Sequence, residues 1–326
     1  MGEREHLLEI RNLRTHFFVR GRVAKAVDDV DLTIEAGRTL GLVGESGCGK
    51  SVTAHSIIGL VPQPPGKIVG GRINFEGTSL LELPEARMRK IRGHWISMIF
   101  QEPMTSLNPV YPVGDQVAEV IRLHEGLSRR ETRSRVIEMF HLVGIPAGEK
   151  RINDYPHQMS GGMRQRVMIA MALACHPKLM IADEPTTALD VTIQAQILEL
   201  MNRLKEETGA SILFITHNLG VIAEMADYVA VMYAGKVMEY TDVKTLFGDP
   251  KHPYTVALLH SIPVLGRGVR GQRLYAISGV VPSLLRLPTG CLFSDRCPDV
   301  FSDCPRVEPQ MYRLGPNHTA RCLKYA

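Results

Sequence analysis

Apolar and polar positions alternate near the start of the chain, whereas later segments show either helical spacing or short apolar runs. The alternation over residues 7–18 and 26–34 predicts two strands that each bury one face. Apolar runs predict further strands at residues 40–43, 72–75, 95–100, 179–182, 212–216 and 229–232. Helical spacing is found at residues 51–60, 165–174 and 193–207. This order of strands and helices is typical of a mostly parallel α/β sheet.

Residues 103–158 differ from the rest of this pattern because their apolar residues recur at steps of three and four. Val117 and Ile121 predict one amphipathic helix, and Val136 and Phe140 predict a second. No strand pattern interrupts them. We therefore expect a helical subdomain inserted into the α/β core.

A glycine-spaced loop joins the strand predicted at 40–43 to the helix that follows it. The loop consists of Gly44, Glu45, Ser46, Gly47, Cys48, Gly49, Lys50 and Ser51, with Val52 inside the helix. Glycines permit positive φ, so successive N–H groups can point at one anion beside the positive end of the helix. Lys50 adds a charge for the β- and γ-phosphates, and Ser51 adds a hydroxyl suited to bind Mg²⁺. The loop predicts a nucleoside triphosphate site.

Two acids, Asp183 and Glu184, follow directly after the apolar run at 179–182. A buried strand of a parallel sheet places such residues at the edge where α/β proteins bind ligands. Asp183 is suited to hold Mg²⁺ through water, and Glu184 to polarise a water that attacks the γ-phosphate. An acidic turn after a strand would have no function by itself. Together with the phosphate-binding loop, the acids predict ATP hydrolysis.

Composition and charge exclude several classes of protein. A chain of 326 residues with 44% hydrophobic residues can form one large domain or two. Its longest uncharged apolar stretch, residues 167–175, is far shorter than the roughly 20 residues that span a bilayer. The net charge of +4 is mild and interspersed, which argues against binding to nucleic acid. The charged start lacks a signal-peptide pattern and predicts a cytosolic location.

Further motifs make the chain resemble the nucleotide-binding subunit of an ABC transporter. They follow in that family's order: the loop GESGCGKS, Gln101 after a strand, SGGM from Ser160, ADEPTTALD from Ala182, and ITHN with His217. The resemblance implies a P-loop NTPase ABC ATPase fold, with a RecA-like core, an antiparallel β subdomain and a helical subdomain. We expect the ATPase domain to cover residues 1–240, with the helical subdomain at 103–158.

The resemblance also implies roles for single residues. Gln101 matches the Q-loop glutamine, which contacts Mg²⁺ and couples the nucleotide state to the membrane partner. Asp190 matches the D-loop aspartate, and His217 matches the switch histidine that contacts the γ-phosphate. With Lys50 and Glu184, Gln101 and His217 complete the predicted catalytic set.

Two other sites are implied by the same resemblance. Ser160, Gly161 and Gly162 match signature residues that close on the γ-phosphate bound by the opposite subunit, and Ser160 is also suited to cap the helix that follows. Phe17 or Phe18 is the candidate for stacking on adenine. A plain core position is the alternative for either phenylalanine.

Residues 101–109, 155–158 and 252–255 narrow the resemblance to ATP-binding subunits of bacterial dipeptide and oligopeptide importers. Nickel and glutathione importers share this subfamily. The resemblance implies a second ATPase subunit, either a paralogue or another copy, together with two transmembrane permease subunits and a substrate-binding protein. It also implies a peripheral location on the cytoplasmic face of the inner membrane. A soluble ABC ATPase outside transport and a redox-sensing ATP-binding protein are the alternatives from other classes.

Residues 241–326 are predicted to form a small Cys-rich accessory domain with Cys291, Cys297, Cys304 and Cys322. Structural disulfides are disfavoured in the cytosol, and a zinc site usually contains a closely spaced cysteine pair, which this segment lacks. Two Cys-Pro steps are similar to those of ferredoxin ligands. The tail resembles one in the peptide-importer subfamily that carries a 4Fe–4S cluster. We therefore predict such a cluster, with zinc or four free thiols as the alternatives.

Overall fold

The computed structural model describes residues 6–102, 106–187, 189–262 and 276–326. The chain forms two compact units, each assembled from separate segments. Unit 1 contains Met1–Leu7, Glu35–Arg38 and Glu82–Ile215. Unit 2 contains Leu8–Ile34, Thr39–Leu81 and Thr216–Ala326.

Strands and helices follow one another along the described residues in the order that the sequence pattern predicts. The strands are β1 (His6–Val19), β2 (Arg22–Glu35), β3 (Thr39–Val43), β4 (Gly66–Phe75), β5 (Thr78–Ser79), β6 (Ile96–Ile99), β7 (Leu179–Asp183), β8 (Ser211–Thr216), β9 (Tyr228–Tyr233), β10 (Lys236–Asp242), β11 (Tyr312–Gly315) and β12 (His318–Ala320). The helices are α1 (Lys50–Ile57), α2 (Glu85–Ile91), α3 (Val113–Glu125), α4 (Arg129–Leu142), α5 (Gly148–Arg151), α6 (Gly161–Leu173), α7 (Val191–Thr208), α8 (Leu219–Met225), α9 (Val243–Gly248) and α10 (Pro253–His260). Each predicted strand and helix has its counterpart among them.

Parallel strands lie at the centre of unit 1, in the order β8-β7-β6. Leu179 on β7 is in register with Ile96 on β6 and with Ser211 on β8. All residues of β7 and β8 are buried, as expected for strands of a parallel sheet covered on both faces. The acids predicted at the end of the 179–182 run thus lie at the carboxyl end of a core strand.

The predicted helices of residues 103–158 are confirmed. Helix α3 buries Val117 and Ile121, and helix α4 buries Val136 and Phe140, so each helix turns its apolar stripe inward. Helix α4 also begins at a capping box, in which Ser128 and Glu131 satisfy each other's backbone N–H groups.

Unit 2 contains an antiparallel sheet in the order β2-β1-β4-β5 and a second group of strands in the order β11-β12-β10-β9-β3. In the second group β3 runs parallel to β9, with Leu40 opposite Tyr228, and the other pairs are antiparallel. The strands β11 and β12 and the helices α9 and α10 lie within residues 241–326, a segment to which the sequence pattern assigned no strand or helix. In the described part of the chain, no helix is both long and apolar enough to cross a membrane.

Candidate functional site

The phosphate-binding loop follows β3, all of whose residues are buried. At two positions of the loop the backbone of another segment comes so close that glycine is required. Gly44 has φ 150°, and a Cβ there would lie 2.1 Å from the carbonyl oxygen of Met232. Gly49 has φ 108°, and a Cβ there would lie 2.1 Å from the carbonyl oxygen of Ala26. A side chain at either position would collide with backbone, so only glycine fits the loop.

Helix α1 begins without a side-chain cap. Gly49 is its N-cap residue, and no side chain accepts a hydrogen bond from the first turn. A helix start of this kind directs N–H groups and the positive end of the helix dipole toward an anion. The geometry is the one predicted for binding phosphate, with Ser51 and Val52 half-buried in the first turn.

The Lys50 ammonium lies inside the loop, and Lys50 is only 6% exposed. Its Nζ donates to the carbonyl oxygens of Gly44 at 2.8 Å and Glu45 at 3.2 Å. A buried ammonium needs such acceptors, because burial without them would cost several kcal/mol. Cys48 is completely buried beside it, and burial raises the pKa of the Cys48 thiol. The loop thus encloses one cation and one neutral thiol.

Glu45 is held by two side chains that sequence analysis did not identify. Its N–H donates to the hydroxyl of Tyr254 at 3.0 Å, and its carboxylate forms a paired contact with Arg296 at 2.6 and 3.0 Å. The hydrogen bonds to Glu45 raise the pKa of Arg296 further above its usual range. Tyr254 stands in the 252–255 segment that carries part of the family resemblance, so a partial signal existed. Nothing in the sequence pattern connected Arg296 with the loop.

In unit 1 the structure brings Gln101 and Glu184 together. The Gln101 Nε2 donates to the Glu184 carboxylate at 3.2 Å, and the Thr187 hydroxyl donates to the same oxygen at 2.9 Å. Glu184 has φ 47°, an uncommon conformation for a residue other than glycine, and its N–H donates to the Ile215 carbonyl. Asp183, the last residue of β7, is buried. Thr187 is a partner of Glu184 that sequence analysis missed.

The predicted signature and D-loop residues also lie close together in unit 1. Ser160 caps α6 and accepts from the N–H of Met163 at 3.3 Å, so its predicted capping role is confirmed. Asp190 caps α7 and accepts from the N–H of Ile193 at 2.9 Å. A Cβ on Gly162 would lie 2.8 Å from the Ile193 side chain, which explains the need for a small residue there. A Cβ on the neighbouring Gly161 would lie 3.7 Å from the Leu189 side chain, which is an ordinary contact distance.

His217 and the two phenylalanines belong to unit 2. His217 is exposed and follows β8 immediately, before α8. Phe17 is half-buried beside Gly66, where a Cβ would lie 3.0 Å from its ring, and Phe18 is 50% exposed. Ser46 and Gly47 are the exposed residues of the loop. The adenine contact and the histidine switch stay predictions.

The predicted cluster site is not confirmed. Cys291, Cys297, Cys304 and Cys322 all line one pocket, and the Cys291 N–H donates to the Cys304 carbonyl oxygen at 2.7 Å. Within the described ranges, however, no three His, Cys, Asp or Glu side chains converge to hold a metal ion. The four cysteines thus share a pocket without forming a metal-binding group. A Cys-rich metal domain is therefore not supported by the geometry.

Burial stabilises the protonated form of three thiols in this pocket. Burial raises the pKa of Cys291 to about 11 and also raises the pKa values of Cys297 and Cys322. A metal would have to displace these protons, because the thiolate is the ligand.

Comparison with known proteins agrees with the motifs. The family model described as ABC transporter matches residues 27–187, and the model described as oligopeptide/dipeptide transporter, C-terminal region, matches residues 238–304. The oligopeptide transport ATP-binding protein AppD of Bacillus subtilis is 51% identical, over 98% of this chain and 97% of its own length. The dipeptide transport ATP-binding protein DppD of Haemophilus influenzae is 49% identical, over 95% and 93%.

Solved structures support the fold. The ATP-binding cassette MJ0796, in a dimeric post-hydrolysis state bound to ADP and Pi, superposes with a TM-score of 0.65 at 28% identity. The match covers 72% of this chain and 98% of the other. Together with the sequence motifs, these matches show that the chain belongs to the ABC transporter family of ATP-binding proteins, in its oligopeptide and dipeptide transporter group.

Proposed function

We propose that this chain is the ATP-hydrolysing subunit of an importer for dipeptides or oligopeptides. The observation that carries the proposal is the similarity to AppD, a protein named for oligopeptide transport, at 51% identity over nearly the whole of both chains. The similarity includes the C-terminal region at 238–304, which is named for the same transporters. Nickel and glutathione remain the alternative substrates, because the family resemblance includes importers of both.

The residues that the family resemblance proposes for MgATP are Lys50 and Ser51 of the loop in unit 2 and, in unit 1, Gln101 and Asp183 at the end of β7. Lys50 is a buried cation beside a helix start without a side-chain cap, which suits phosphate. Asp183 supplies a buried carboxylate and Ser51 a hydroxyl, both of which are oxygen ligands of the kind Mg²⁺ prefers. When bound, Mg²⁺ neutralises charge on the phosphate oxygens.

Glu184 is the proposed general base, which orients the attacking water and accepts its proton. Two hydrogen bonds, from Gln101 and Thr187, fix the direction of its carboxylate. His217 is proposed to contact the γ-phosphate. Ser160 and Gly162 are proposed to act on nucleotide held by a second ATPase subunit.

Glu184→Gln tests this assignment. The amide cannot accept a proton but keeps the size of the side chain, so we expect kcat to fall about 1,000-fold while ATP still binds. The control is Glu207→Gln on the exposed side of α7, where an ion pair with Arg203 at 3.8 Å contributes little. ATPase rates and nucleotide titrations on both variants decide the matter. Wild-type turnover by Glu184→Gln would remove Glu184 from the mechanism.

The proposed partners are two transmembrane permease subunits, a second ATPase subunit and a substrate-binding protein, with the chain on the cytoplasmic face of the membrane. The comparison cassette MJ0796 is described as a dimer, which supports a paired ATPase. The test is co-purification with the permease subunits, followed by ATPase assays in vesicles. We expect stimulation by a loaded peptide-binding protein. If only nickel or glutathione, each with its own binding protein, stimulated the ATPase, that ligand would replace peptides as the proposed substrate.

The division into an ATPase domain at 1–240, with a helical subdomain at 103–158, and an accessory domain at 241–326 also stays a proposal. Within the tail, the 4Fe–4S cluster at the four cysteines stays a prediction from the family resemblance: the cysteines line one pocket, but no three side chains of the described residues there form a metal-binding group. Anaerobic purification tests it. Equal iron and acid-labile sulfide would support the cluster, whereas bound zinc or neither metal would support one of the two alternatives.

A further inference from the structure

We propose, on the basis of the ATPase function proposed above, that Arg296 is a positioning residue for ATP binding, which acts on the phosphate-binding loop through Glu45. The guanidinium faces the Glu45 carboxylate with two parallel contacts, Nη1 to Oε2 at 2.6 Å and Nη2 to Oε1 at 3.0 Å. A paired contact of this kind fixes direction as well as distance. The two residues are 251 positions apart in the sequence.

Arg296 is itself fixed on its other sides. Its Nε donates to the carbonyl oxygen of Ser278 at 2.9 Å, and its Nη1 also lies 3.3 Å from the hydroxyl of Tyr233. The guanidinium carbon lies 5.7 Å from the centre of the Tyr233 ring and 6.0 Å from that of Phe293. Its side chain is only 3% exposed. The arginine therefore acts as a rigid support and not as a mobile surface charge.

Glu45 transmits this support to the catalytic lysine. Its carboxylate is held by Arg296, its N–H by Tyr254, and its carbonyl oxygen accepts from the Lys50 ammonium at 3.2 Å. The Glu45 N–H and the Gly44 carbonyl belong to one peptide group, which the contact with Tyr254 orients. The side-chain contact with Arg296 fixes the residue whose own carbonyl is the second acceptor of Lys50. Together these contacts set the places of the two oxygens that hold Lys50 in the loop.

The contacts of Glu45 order the phosphate-binding loop before ATP arrives, and such preorganisation strengthens binding. If Glu45 loses its side-chain partner, the loop must be ordered when ATP arrives, and that ordering weakens binding. The proposed base Glu184 and its partners Gln101 and Thr187 are untouched by this change, so the loss should appear in KM more than in kcat. Exposed ion pairs such as Arg11 with Glu9 have no comparable effect, because they are solvated and touch no functional group.

The test uses the full-length chain and MgATP, with steady-state kinetics and nucleotide titration. We expect Arg296→Gln to raise KM about tenfold and to change kcat by less than about twofold. Glu45→Gln should have the same effect. In the double variant KM should also rise about tenfold and not a hundredfold, because both changes break one contact. Arg296→Lys keeps the charge but cannot form two parallel contacts, so its KM should lie between the values of the unchanged protein and Arg296→Gln.

Arg321→Gln is the matched control for loss of a buried arginine in the same tail. Arg321 donates to the carbonyl oxygens of Val237 and Pro309 and pairs with Asp29, so these partners lie outside the loop. The control variant should have a lower melting temperature without a higher KM. An unchanged KM in Glu45→Gln, or an equal rise in KM in Arg321→Gln, would overturn the proposal. Additive effects in the double variant would do so too. Because Glu45→Gln leaves the tail intact, the test does not depend on the folding of Arg296→Gln.

Discussion

The phosphate-binding loop and the acidic end of β7 are held in place by different means. The loop residue Glu45 is fixed by Tyr254 and Arg296, which lie 209 and 251 positions away in the sequence. Glu184 is fixed by Thr187, three positions away, and by Gln101, 83 positions away. The loop therefore depends on the C-terminal segment, whereas the proposed base depends on its own turn and on the segment that follows the neighbouring strand β6. Changes in the tail should alter nucleotide affinity before they alter the chemical step.

The starts of two helices differ in a related way. Helix α1 has glycine as its N-cap and no side-chain cap, whereas the Ser160 hydroxyl caps α6 in the structure. One helix start is open to an anion, and the other is satisfied by its own serine. For Ser160 to contact a phosphate, as its family role requires, its hydroxyl must be shared with or released from the Met163 N–H.

The largest effect is expected from Lys50→Ala, which removes the cation that the loop encloses. We expect kcat/KM to fall at least about 100-fold, because a buried charge beside phosphate is a main source of binding and of transition-state stabilisation. Equilibrium titration with ATP measures the loss of occupancy. The control is Lys67→Ala, an exposed lysine on β4, which should leave the titration unchanged. Normal ATP binding and cleavage by Lys50→Ala would refute the assignment of the loop.

A pair of glycine substitutions distinguishes close packing from backbone strain within the loop. Gly44→Ala places a Cβ 2.1 Å from a backbone oxygen, whereas Gly47→Ala meets nothing within 4 Å, although φ is positive at both. We expect Gly44→Ala to reduce the free energy of unfolding by about 3 kcal/mol or more, and Gly47→Ala by about 1 kcal/mol. Urea unfolding measures both. Equal losses of unfolding free energy would show that the backbone at Met232 can shift away from the new Cβ at little cost.

Two serine caps separate helix stability from nucleotide contact. Ser160→Ala and Ser128→Ala each remove a side-chain cap, from α6 and α4, and each should cost about 1 kcal/mol of stability. Only Ser160→Ala should also lower ATP turnover in the assembled transporter, by about tenfold, if the proposed signature role is right. Thermal unfolding and ATPase rates measure the two effects. Equal ATPase losses in both variants would reduce Ser160 to a structural cap.

The smallest effect is expected from thiol reagents at neutral pH. Cys48 is completely buried and its pKa is raised by burial, so both access and thiolate formation are unfavourable. Cys297 is more exposed than Cys48, so we expect Cys297 to be alkylated first. The rate of alkylation at Cys48 should rise about tenfold per pH unit until the pH reaches the pKa of its thiol. Mass spectrometry after timed alkylation measures this order. Once Cys48 is modified, ATP binding should be lost, since the loop has no room for the adduct.

Much of the fold followed from local pattern. The continuous apolar run of β7, the spacing of α6 and the glycines of the loop are each encoded within a few residues, and each was predicted. Strand β10 was hidden because it contains Glu239, which is fully buried and accepts from the N–H groups of Lys251 and His252. From sequence alone, a charged residue in a strand is expected to be exposed, because the distant groups that can satisfy a buried charge are not known.

The same reason limits what the sequence could say about the site. The motifs identified Lys50 and Glu184 because chemistry requires those residue types at those positions. The contact of Arg296 with Glu45 depends on a fold that brings together residues far apart in the sequence, and no local spacing encodes it. The four cysteines show the opposite case. The family resemblance predicted a ligand set, and the structure places all four in one pocket but does not confirm a metal-binding group among the described residues.

The carbonyl oxygens of Gly44 and Glu45 surround the Lys50 ammonium much as water molecules surround a dissolved ion. We therefore expect an arriving phosphate oxygen to join an inner sphere that two peptide oxygens already define. When product departs, those two oxygens remain, so the buried cation is not left bare at either end of the cycle.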